Sequence, residues 1–425
     1  MRIVICTLYF PPCTFTPANR TYSWAKYLHQ FGIYPVIITR QWPDAAAKED
    51  YFDISVGTET IIEKHEFYEV HYLPFEGNRR TRSVGKPRNF IQKIFDKFST
   101  VAELIFRYAY SKLLPYSNIF EYTEKYVSQN KVDKILISGS PFLLFKIGYN
   151  LFKRSGIPWI ADYRDGWTVA NYEEQVGLLT GIVAKLNKHY ERKWVSTAAG
   201  FTTVSEFLKD CIEEKLGILG VVVYNGFYEN KEVNAPVEKR DVVEFLYSGV
   251  VYPKQDYRTV VTSFKKIIER YKDRITIRLT FLGTTFDNPA FANDPVFKGT
   301  EQNIFLLDRV DYQTALKKHQ AADAFVMLAH QGMKGIASSK LFDYIKYRKP
   351  VLLFPGDGDV LEEILQTSGL GLIANNSNEL ENNILSLINA KLETGYMNVT
   401  PNNEYISSFS RENQAGKLAD MLKMK

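Results

Sequence analysis

The feature that most constrains the fold is a strand, helix and strand pattern in the first 40 residues. A β-branched run at 3–7 is followed by apolar residues at helical spacing over 18–31, and a second apolar run, PVIIT, occupies 35–39. Strands joined by a single crossover helix run parallel, and parallel strands are usually covered on both faces. The chain therefore opens with a predicted βαβ unit of an α/β domain.

The same alternation continues on both sides of a segment that has the character of a linker. Residues 228–242, YENKEVNAPVEKRDV, are charged and lose the apolar periodicity, which is typical of a connection between domains. A chain of 425 residues is long enough for two domains. We predict a doubly wound domain at 1–230, a second at 243–405, and a final helix within 406–425. Further strands are predicted at KILIS, WIAD, GFTTVS, VVVYNG, EFLYSG, ITIRLTFLG, NIFLL, AFVMLA and PVLLF.

Composition narrows the class of partner and the compartment. The net charge of +5 favours anionic partners such as phosphates or a membrane surface and does not call for nucleic acid. The three cysteines, Cys6, Cys13 and Cys211, have no C-x-x-C spacing and predict neither a disulfide framework nor a zinc site. The first apolar run is short for a signal peptide, and no run approaches the roughly 20 apolar residues of a spanning helix. We expect a cytoplasmic protein.

Residues 78–115 depart from the alternation. A cluster of arginine and lysine residues in NRRTRSVGKPRNF precedes a segment with apolar residues at helical spacing. This order favours peripheral contact with an anionic membrane surface. The alternative is that the apolar residues pack on the domain core while the arginines are solvated.

The sharpest chemical signal is KGIASSKLFDYIKYRKPV at 334–351, where a small polar loop opens a predicted helix. The first amides of a helix lack intrahelical partners and lie at its positive end, so they could bind a diphosphate, to which Lys340 would add a full charge. Asp343 could accept hydrogen bonds from ribose hydroxyls. The alternative is that Ser338 is an ordinary N-cap and Lys340 an ordinary solvated lysine. The donor-binding candidates here are Ser338, Ser339, Lys340, Leu341 and Asp343.

A second candidate loop is LYSGVVYPKQD at 246–256, which follows a predicted strand. Ligands of doubly wound domains bind at the carboxyl ends of the strands. Gly249 would let a nucleotide approach the backbone, and Lys254 would be a second cation for its phosphates. A plain βα turn with a solvated lysine remains the alternative.

The first domain carries charged residues after its own predicted strands. WIADYRDGW places Asp162, Arg164 and Asp165 directly after a buried run, where they would face a ligand or form a salt bridge that fixes the loop. The loop PPCTFTPANR places Asn19 and Arg20 at a helix start, where either could contact an anion or cap the helix.

Several chemistries lack their motifs. No G-x-G-x-x-G follows the first strand, and neither a Walker phosphate loop nor a G-x-S-x-G elbow occurs. The six histidines have no metal-binding spacing. His330, which follows a predicted strand, would face the cleft between the domains or cap the strand end.

Taken in order, the motifs resemble the GT-B-fold glycosyltransferases of family 4, especially the bacterial subgroup that builds lipopolysaccharide and capsule chains. The likeness spans nearly the whole chain. The motifs are Tyr9-Phe10-Pro11-Pro12, D-x-R-D-x-W at 162–167, Thr203-Val204-Ser205, Asn225-Gly226, and Ser339-Lys340-Leu341-Phe342-Asp343-Tyr344 ahead of Lys349-Pro350-Val351.

This resemblance implies two facing Rossmann-like domains with a cleft between them and a last helix, at 409–423, that crosses back to the first domain. It also implies transfer of a hexose or acetamidohexose, with retention and without a metal, from a nucleotide sugar, here expected to be UDP-linked. The acceptor would be a glycan or lipid-linked glycan of a surface polysaccharide, at the inner face of the cytoplasmic membrane. The catalytic candidates are Lys254, Lys340 and Asp165, and the acceptor-side candidates are Asn19, Arg20, Asp162 and Arg164.

The sequence departs from the family pattern at three places. Gly335 stands where many members carry the first of two paired acids, with Lys334 beside it, and Val250 replaces an arginine after the strand glycine. Thr16-Pro17 replaces the Gly-Gly of the first loop. Two alternatives therefore remain, a sugar-nucleotide 2-epimerase of the same fold and a non-catalytic nucleotide-sugar-binding partner of another transferase.

Overall fold

The computed structural model describes residues 1–43, 55–75, 99–169, 178–229, 241–284, 289–397 and 399–424. The chain divides into two compact units, the first formed by Met1–Asn225 with Arg411–Lys425 and the second by Gly226–Ser410. The basic part of the 78–115 segment and most of the predicted linker lie outside the described residues.

The first unit contains an eight-stranded sheet in the order β3-β4-β2-β1-β5-β6-β7-β8. The edge strand β3 pairs antiparallel with β4, and the other pairings are parallel. Its strands are β1 (Arg2–Cys6), β2 (Tyr34–Arg40), β3 (Ile61–Lys64), β4 (Glu69–Leu73), β5 (Lys134–Ser138), β6 (Trp159–Tyr163), β7 (Gly200–Thr203) and β8 (Gly220–Val222).

Helices cover both faces of this sheet. Its α-helices include α1 (Thr16–Tyr27), α2 (Ser117–Gln129), α3 (Phe145–Ser155), α4 (Leu178–Val195) and α5 (Glu206–Leu216), with 3-10 turns at Leu28–Phe31, Ser111–Leu113 and Phe142–Leu144. Strand β1 shows why its sequence is apolar throughout: Ile3 and Ile5 pack in the same cluster as Trp24 of α1, whereas Val4 packs on the opposite face. Burial of each such side chain contributes about 1.5–3 kcal/mol.

The second unit contains a six-stranded parallel sheet in the order β11-β10-β9-β12-β13-β14. Its strands are β9 (Val242–Ser248), β10 (Thr276–Leu282), β11 (Ile304–Leu307), β12 (Ala324–Leu328), β13 (Val351–Phe354) and β14 (Gly371–Ile373). Its helices are α6 (Tyr257–Tyr271), α7 (Tyr312–Ala321), α8 (Ser339–Ile345), α9 (Val360–Thr367), α10 (Ser377–Thr394) and α11 (Asn403–Ser408), with shorter turns at Pro289–Ala292 and Pro295–Phe297.

The last helix, α12 (Arg411–Lys423), belongs to the first unit. Its Leu418 and Leu422 are fully buried in the cluster that contains Ile3 and Trp24. An apolar face of α12 thus completes the cover of β1.

Both sheets reverse their strand order at the centre, between β1 and β5 in the first unit and between β9 and β12 in the second. Such a reversal is the topological switch point of a doubly wound sheet, and it leaves a crevice at the carboxyl ends of the two central strands. The predicted α/β class with doubly wound domains is confirmed.

The structure corrects the predicted start of α1. Pro17 lies at the beginning of the helix, which starts at Thr16, so Asn19 and Arg20 are inside it and cannot cap it. The short strands β3, β4 and β14 were not predicted. None of the helices in the described ranges is long and apolar enough to cross a membrane.

Candidate functional site

The switch point of the second sheet collects the residues that the sequence singled out. Gly249 follows β9 directly, and Ala329 and His330 follow β12, its neighbour in the sheet. Helix α8, which carries Lys340, begins nine residues after His330. These three segments surround the carboxyl ends of the central strands.

Lys340 reaches from α8 to the end of β9. Its Nζ donates hydrogen bonds to the Tyr247 hydroxyl at 2.6 Å and to the carbonyl of Val250 at 2.7 Å. The ammonium also lies 4.4 Å from the centroid of the Tyr247 ring, within cation–π range. Among the described residues no carboxylate forms an ion pair with Lys340, so its partners are all neutral.

Burial lowers the pKa of Lys340 to about 7. The cause is desolvation, because a surrounding of low dielectric disfavours the charged form and no acid compensates for it. An anion that reached this ammonium would supply the missing counter-charge. Perturbed groups of this kind are concentrated at functional sites.

Gly249 makes room for Lys340. Its φ of +97° lies in a region that favours glycine, and a Cβ at this position would lie 2.7 Å from Lys340 Cε. In the structure it is the lysine side chain, and not an open approach to the backbone, that requires glycine here. The expectation that Gly249 lets a nucleotide approach the backbone is therefore replaced by a packing role against Lys340.

Tyr344 fixes α8 to the other side of Gly249. Its hydroxyl accepts a hydrogen bond from the backbone N–H of Ser248 at 2.7 Å, and its ring stacks on Phe325 at 4.5 Å between centroids. Tyr344 lies one helical turn after Lys340, so the two side chains hold the residues on either side of Gly249.

Lys254 is exposed and lines a cavity of about 450 Å³. Its backbone carbonyl accepts a hydrogen bond from the N–H of Gln331, which lines the same cavity. The loops after β9 and β12 are therefore joined at this point, and Lys254 is available to solvent.

The other predicted donor residues lie along the start of α8. Ser338 is the N-cap residue, but its side chain makes no capping hydrogen bond, and the Leu341 amide donates to the Ser338 carbonyl at 3.1 Å. Within the described residues the amides of Ser339 and Lys340 have no hydrogen-bond partner. Asp343 is exposed, and its carboxylate lies 3.6 Å from Lys346.

Beside the switch point of the first sheet, Arg20 of α1 and Asp162 near the carboxyl end of β6 form a buried ion pair at 2.8 Å. The Asp162 carboxylate also accepts hydrogen bonds from Ser138 and Thr202, each at 2.8 Å. Arg20 donates a further bond to the carbonyl of Val223. Both side chains are at most 2% exposed, so the structure does not place them where an acceptor could touch them. This fits the salt-bridge alternative, with Arg20 as the partner in place of Arg164.

Arg164 and Asp165 lie nearer the surface of this unit. Arg164 pairs with Asp165 at 3.3 Å and stacks over the Tyr9 ring at 5.6 Å, while the Asp165 side chain is 68% exposed. Asn19 is exposed, and its carbonyl accepts a hydrogen bond from Arg411. The structure therefore leaves Asn19 and Asp165 exposed, while the Arg164 side chain is only 15% exposed and Arg20 and Asp162 are buried.

Sequence reasoning missed the three residues that organise the second site, namely Tyr247, Gln255 and Tyr344. They act through contacts such as Lys340 to Tyr247, which are 93 residues apart. In the sequence, they were indicated only by their positions within the segments 246–256 and 334–351. Within the described ranges, no group of three or more His, Cys, Asp or Glu residues could hold a metal ion.

No protein-family profile matches the sequence, and a search of curated proteins found no significant relative. Solved structures resemble it over nearly their full length. Sucrose-phosphate synthase from Thermosynechococcus elongatus has a TM-score of 0.60 at 13% identity and covers 99% of this chain and 98% of its own. A glycosyltransferase from Rickettsia africae has a TM-score of 0.60 at 15% identity, with coverages of 99% and 97%.

A third similar structure is Anabaena HepE in complex with UDP and glucose. Its TM-score is 0.59 at 14% identity, and it covers all of both chains. At such low identity the likeness shows the fold, which is the GT-B fold of these glycosyltransferases. The fold class implied by the sequence resemblance is confirmed.

Proposed function

We propose that the protein is a glycosyltransferase that binds a nucleotide sugar at the switch point of its second unit. The observation that carries the proposal is the largely buried Lys340, a cation with no carboxylate partner among the described residues, held at the carboxyl ends of β9 and β12. A doubly wound sheet binds nucleotide ligands at this position.

The chemistry of transfer explains why a lysine would be placed there. As the bond between the sugar and the diphosphate breaks, negative charge develops on the leaving nucleoside diphosphate, and positioned donors stabilise it. In this proposal Lys340 and the exposed Lys254 neutralise that charge in place of a metal ion. Each charge-assisted hydrogen bond would contribute about 1.5–3 kcal/mol.

The finer parts of the proposal follow the family resemblance. The donor is a UDP-linked hexose or acetamidohexose, the anomeric configuration is retained, and Asp343 binds the ribose hydroxyls, for which its exposure is suitable. Asp165 is proposed as a catalytic residue because it is an exposed acid after β6. The HepE structure, which contains UDP and glucose, supports UDP as the first nucleotide to test.

A glycan or lipid-linked acceptor at the inner face of the cytoplasmic membrane is also proposed. In the described part of the 78–115 segment, Phe106, Tyr110 and Leu113 are 52%, 64% and 38% exposed. Exposed aromatic residues beside a basic segment are suited to an anionic lipid surface. Flotation with phosphatidylglycerol vesicles should show binding that is lost in high salt and weakened by Phe106→Ser with Tyr110→Ser. Binding unchanged by both substitutions would remove the membrane proposal.

The test of the central proposal is a panel of nucleotide sugars, each measured for protection of the whole chain against thermal unfolding. A ligand at 100 times its dissociation constant stabilises by about 2.7 kcal/mol. Protection by one nucleotide series, followed by transfer to membrane glycolipids, is the expected result. No protection by any nucleotide or nucleotide sugar would overturn the proposal.

The same panel separates the two alternative functions. Conversion of the donor without an acceptor would indicate an epimerase. Binding without turnover would indicate a non-catalytic partner, which Gly335 favours. This residue has a φ of +77°, and its N–H donates to Asp359, so position 335 offers a bonded backbone amide where many family members carry an acid.

A further inference from the structure

His330 occupies a position at the second switch point that the proposed function does not use. It follows β12 and lines a cavity of about 240 Å³ together with Lys334 and Asp357. Its ring faces Tyr252 at 5.2 Å between centroids. The question is which of its nitrogens carries a proton, because this decides what the ring can offer a ligand.

The orientation of the Gln255 side chain indicates which nitrogen is protonated. Its Oε1 accepts a hydrogen bond from the N–H of Tyr252 at 2.9 Å and lies 3.3 Å from the Tyr247 hydroxyl, whose single hydrogen has a closer acceptor in the Val250 carbonyl at 2.8 Å. Its Nε2 donates to the carbonyl of Leu328 at 2.7 Å. These partners fix the orientation of the amide, because exchanging its oxygen and nitrogen would set two donors against each other.

The fixed amide then determines the tautomer of the histidine. Gln255 Nε2 faces His330 Nε2 at 3.5 Å, which is a long contact, but an amide NH2 can only donate. A hydrogen bond across this contact requires His330 Nε2 to accept, and it therefore favours the tautomer with the ring proton on Nδ1. Burial, with a further contribution from Lys340 and Lys254, lowers the pKa of His330 and so favours the neutral ring.

The Nδ1–H has no acceptor in the part of the chain that the structure describes. No described residue forms a hydrogen bond with it. The Nδ1 atom is also not buried, so it is open to solvent. Lys340 Nζ lies 5.8 Å from the centroid of the Tyr252 ring, which His330 faces, and the Lys254 carbonyl accepts a hydrogen bond from the amide of Gln331, the residue after His330. The ring therefore lies near the two cations of the proposed diphosphate site. An anion held by those lysines would lie beside this donor.

We propose that the Nδ1–H of His330 is a third hydrogen-bond donor to the diphosphate of the bound donor, an inference that rests on the proposed function. A neutral donor suits this position, because an imidazolium beside two ammonium groups would be repelled. When the bond between the sugar carbon and the diphosphate oxygen breaks, the electron pair goes to that oxygen. The hydrogen bond then strengthens, and the proton stays on Nδ1.

Three variants of the whole chain separate this role from a structural one. His330→Asn places an amide N–H near the position of Nδ1, whereas His330→Gln places it near that of Nε2 and against Gln255. His330→Phe keeps a ring against Tyr252 and offers no donor. Binding of UDP and of inorganic pyrophosphate by calorimetry is the measurement, with turnover of whichever nucleotide sugar protects best.

We expect His330→Phe and His330→Gln to bind both probes about tenfold more weakly, the equivalent of one hydrogen bond, and His330→Asn to stay within about threefold of the wild type. Loss of the bond should lower kcat more than it raises KM, because the bond is strongest in the transition state. Thermal unfolding shows whether each variant is folded. If His330→Phe does not fold, the comparison of His330→Asn with His330→Gln still tests the role of Nδ1–H.

The outcomes distinguish failure of the His330 role from failure of the proposed function. If the wild type binds UDP and all three variants bind it equally well, the role of His330 is overturned while the proposed function stands. If Asn and Gln are equally impaired, the residue is structural, and the inference also fails. If the wild type binds neither UDP nor pyrophosphate nor any other nucleotide of the panel, the proposed function fails first.

Discussion

Each unit of the protein has a cation with little exposure near the carboxyl ends of its strands, Arg20 in the first and Lys340 in the second, but the two charges are balanced in opposite ways. In the first unit, Arg20 and Asp162 neutralise each other, and their remaining hydrogen-bonding capacity is used by Ser138, Thr202 and the Val223 carbonyl. In the second unit, the partners of Lys340 among the described residues are neutral, namely the Tyr247 hydroxyl and the Val250 carbonyl.

This difference separates a structural use of a charged residue from a ligand-binding one. A buried charge whose counter-charge belongs to the protein is part of the core, and nothing further is gained when a ligand arrives. A buried charge without a counter-charge carries a desolvation cost that a bound anion can offset. Position at the carboxyl edge of a strand therefore does not identify a site until the charge balance is known.

The largest expected effect comes from breaking the ion pair of the first unit. Asp162→Ala would leave the Arg20 guanidinium buried without a partner, at a cost of about 3–5 kcal/mol. Urea and thermal unfolding would measure the loss. The matched control is Asp165→Ala, an exposed acid three residues later, with an expected change of about 0.5 kcal/mol or less. Equal stability of the two variants would mean that the pair does not hold the unit together.

Lys340→Met is the corresponding change in the second unit. Val250 and Tyr247 keep a hydrogen bond to each other, so no polar group is left unpaired, and the stability should be unchanged or higher. UDP affinity should fall about 10- to 100-fold. Calorimetry would measure UDP affinity for Lys340→Met and for Lys254→Met. The second variant changes an exposed lysine and should lose less affinity. Wild-type affinity in Lys340→Met would place this lysine with Arg20 and Asp162 as a structural residue.

The pH dependence of binding sharpens the same contrast. Burial lowers the pKa of Lys340 to about 7, so the free protein loses this charge as the pH rises, while a bound diphosphate retains the proton. UDP affinity should fall by up to about tenfold per pH unit between pH 7 and 9.

The stability of the ligand-free protein should change in the opposite direction. The unfolded lysine titrates near 10.5, so this group adds stability as the pH rises from 7. Lys340→Met should show neither the fall in UDP affinity nor the rise in stability with pH. If UDP affinity and stability of the wild type do not change between pH 7 and 9, the prediction is contradicted.

The smallest expected effect is that of Gly249→Ala. The methyl group would meet Lys340 Cε at 2.7 Å and would sit on a backbone with positive φ, so the lysine must move and the turn is strained. We expect a loss of about 1–2 kcal/mol in stability and a weaker hold on UDP. Gly332→Ala is the control, because its φ is also positive but a Cβ there would meet no atom within 4 Å. Similar behaviour of the two variants would remove the special relation between Gly249 and Lys340.

Local patterns predicted most of the fold. The run KILIS coincides with β5, and the run AFVMLA covers β12 at Ala324–Leu328. Strand β3 was missed because Ile61 and Ile62 are exposed at a sheet edge, so the segment has no buried alternation to recognise. The start of α1 was placed too late because Pro17 was taken as part of the preceding loop.

The site was harder to predict because charge balance depends on contacts between distant residues. The sequence indicated that Asp162 and Lys340 both lie at strand ends or helix starts. It could not show that Asp162 meets Arg20, 142 residues earlier, or that Lys340 lies against Tyr247. Residue type and spacing located the charged groups, whereas only the structure shows which of them has a counter-charge.

The bond between Tyr344 and the Ser248 amide has a practical consequence. This amide hydrogen is held by a side chain of α8, so its exchange with deuterated water depends on that helix staying docked against β9. An arriving anion that draws Lys340 away from Val250 changes one of the two links on this helix. The isotope exchange rate of a single peptide group can then report occupancy of the neighbouring corner, before any sugar or acceptor is known.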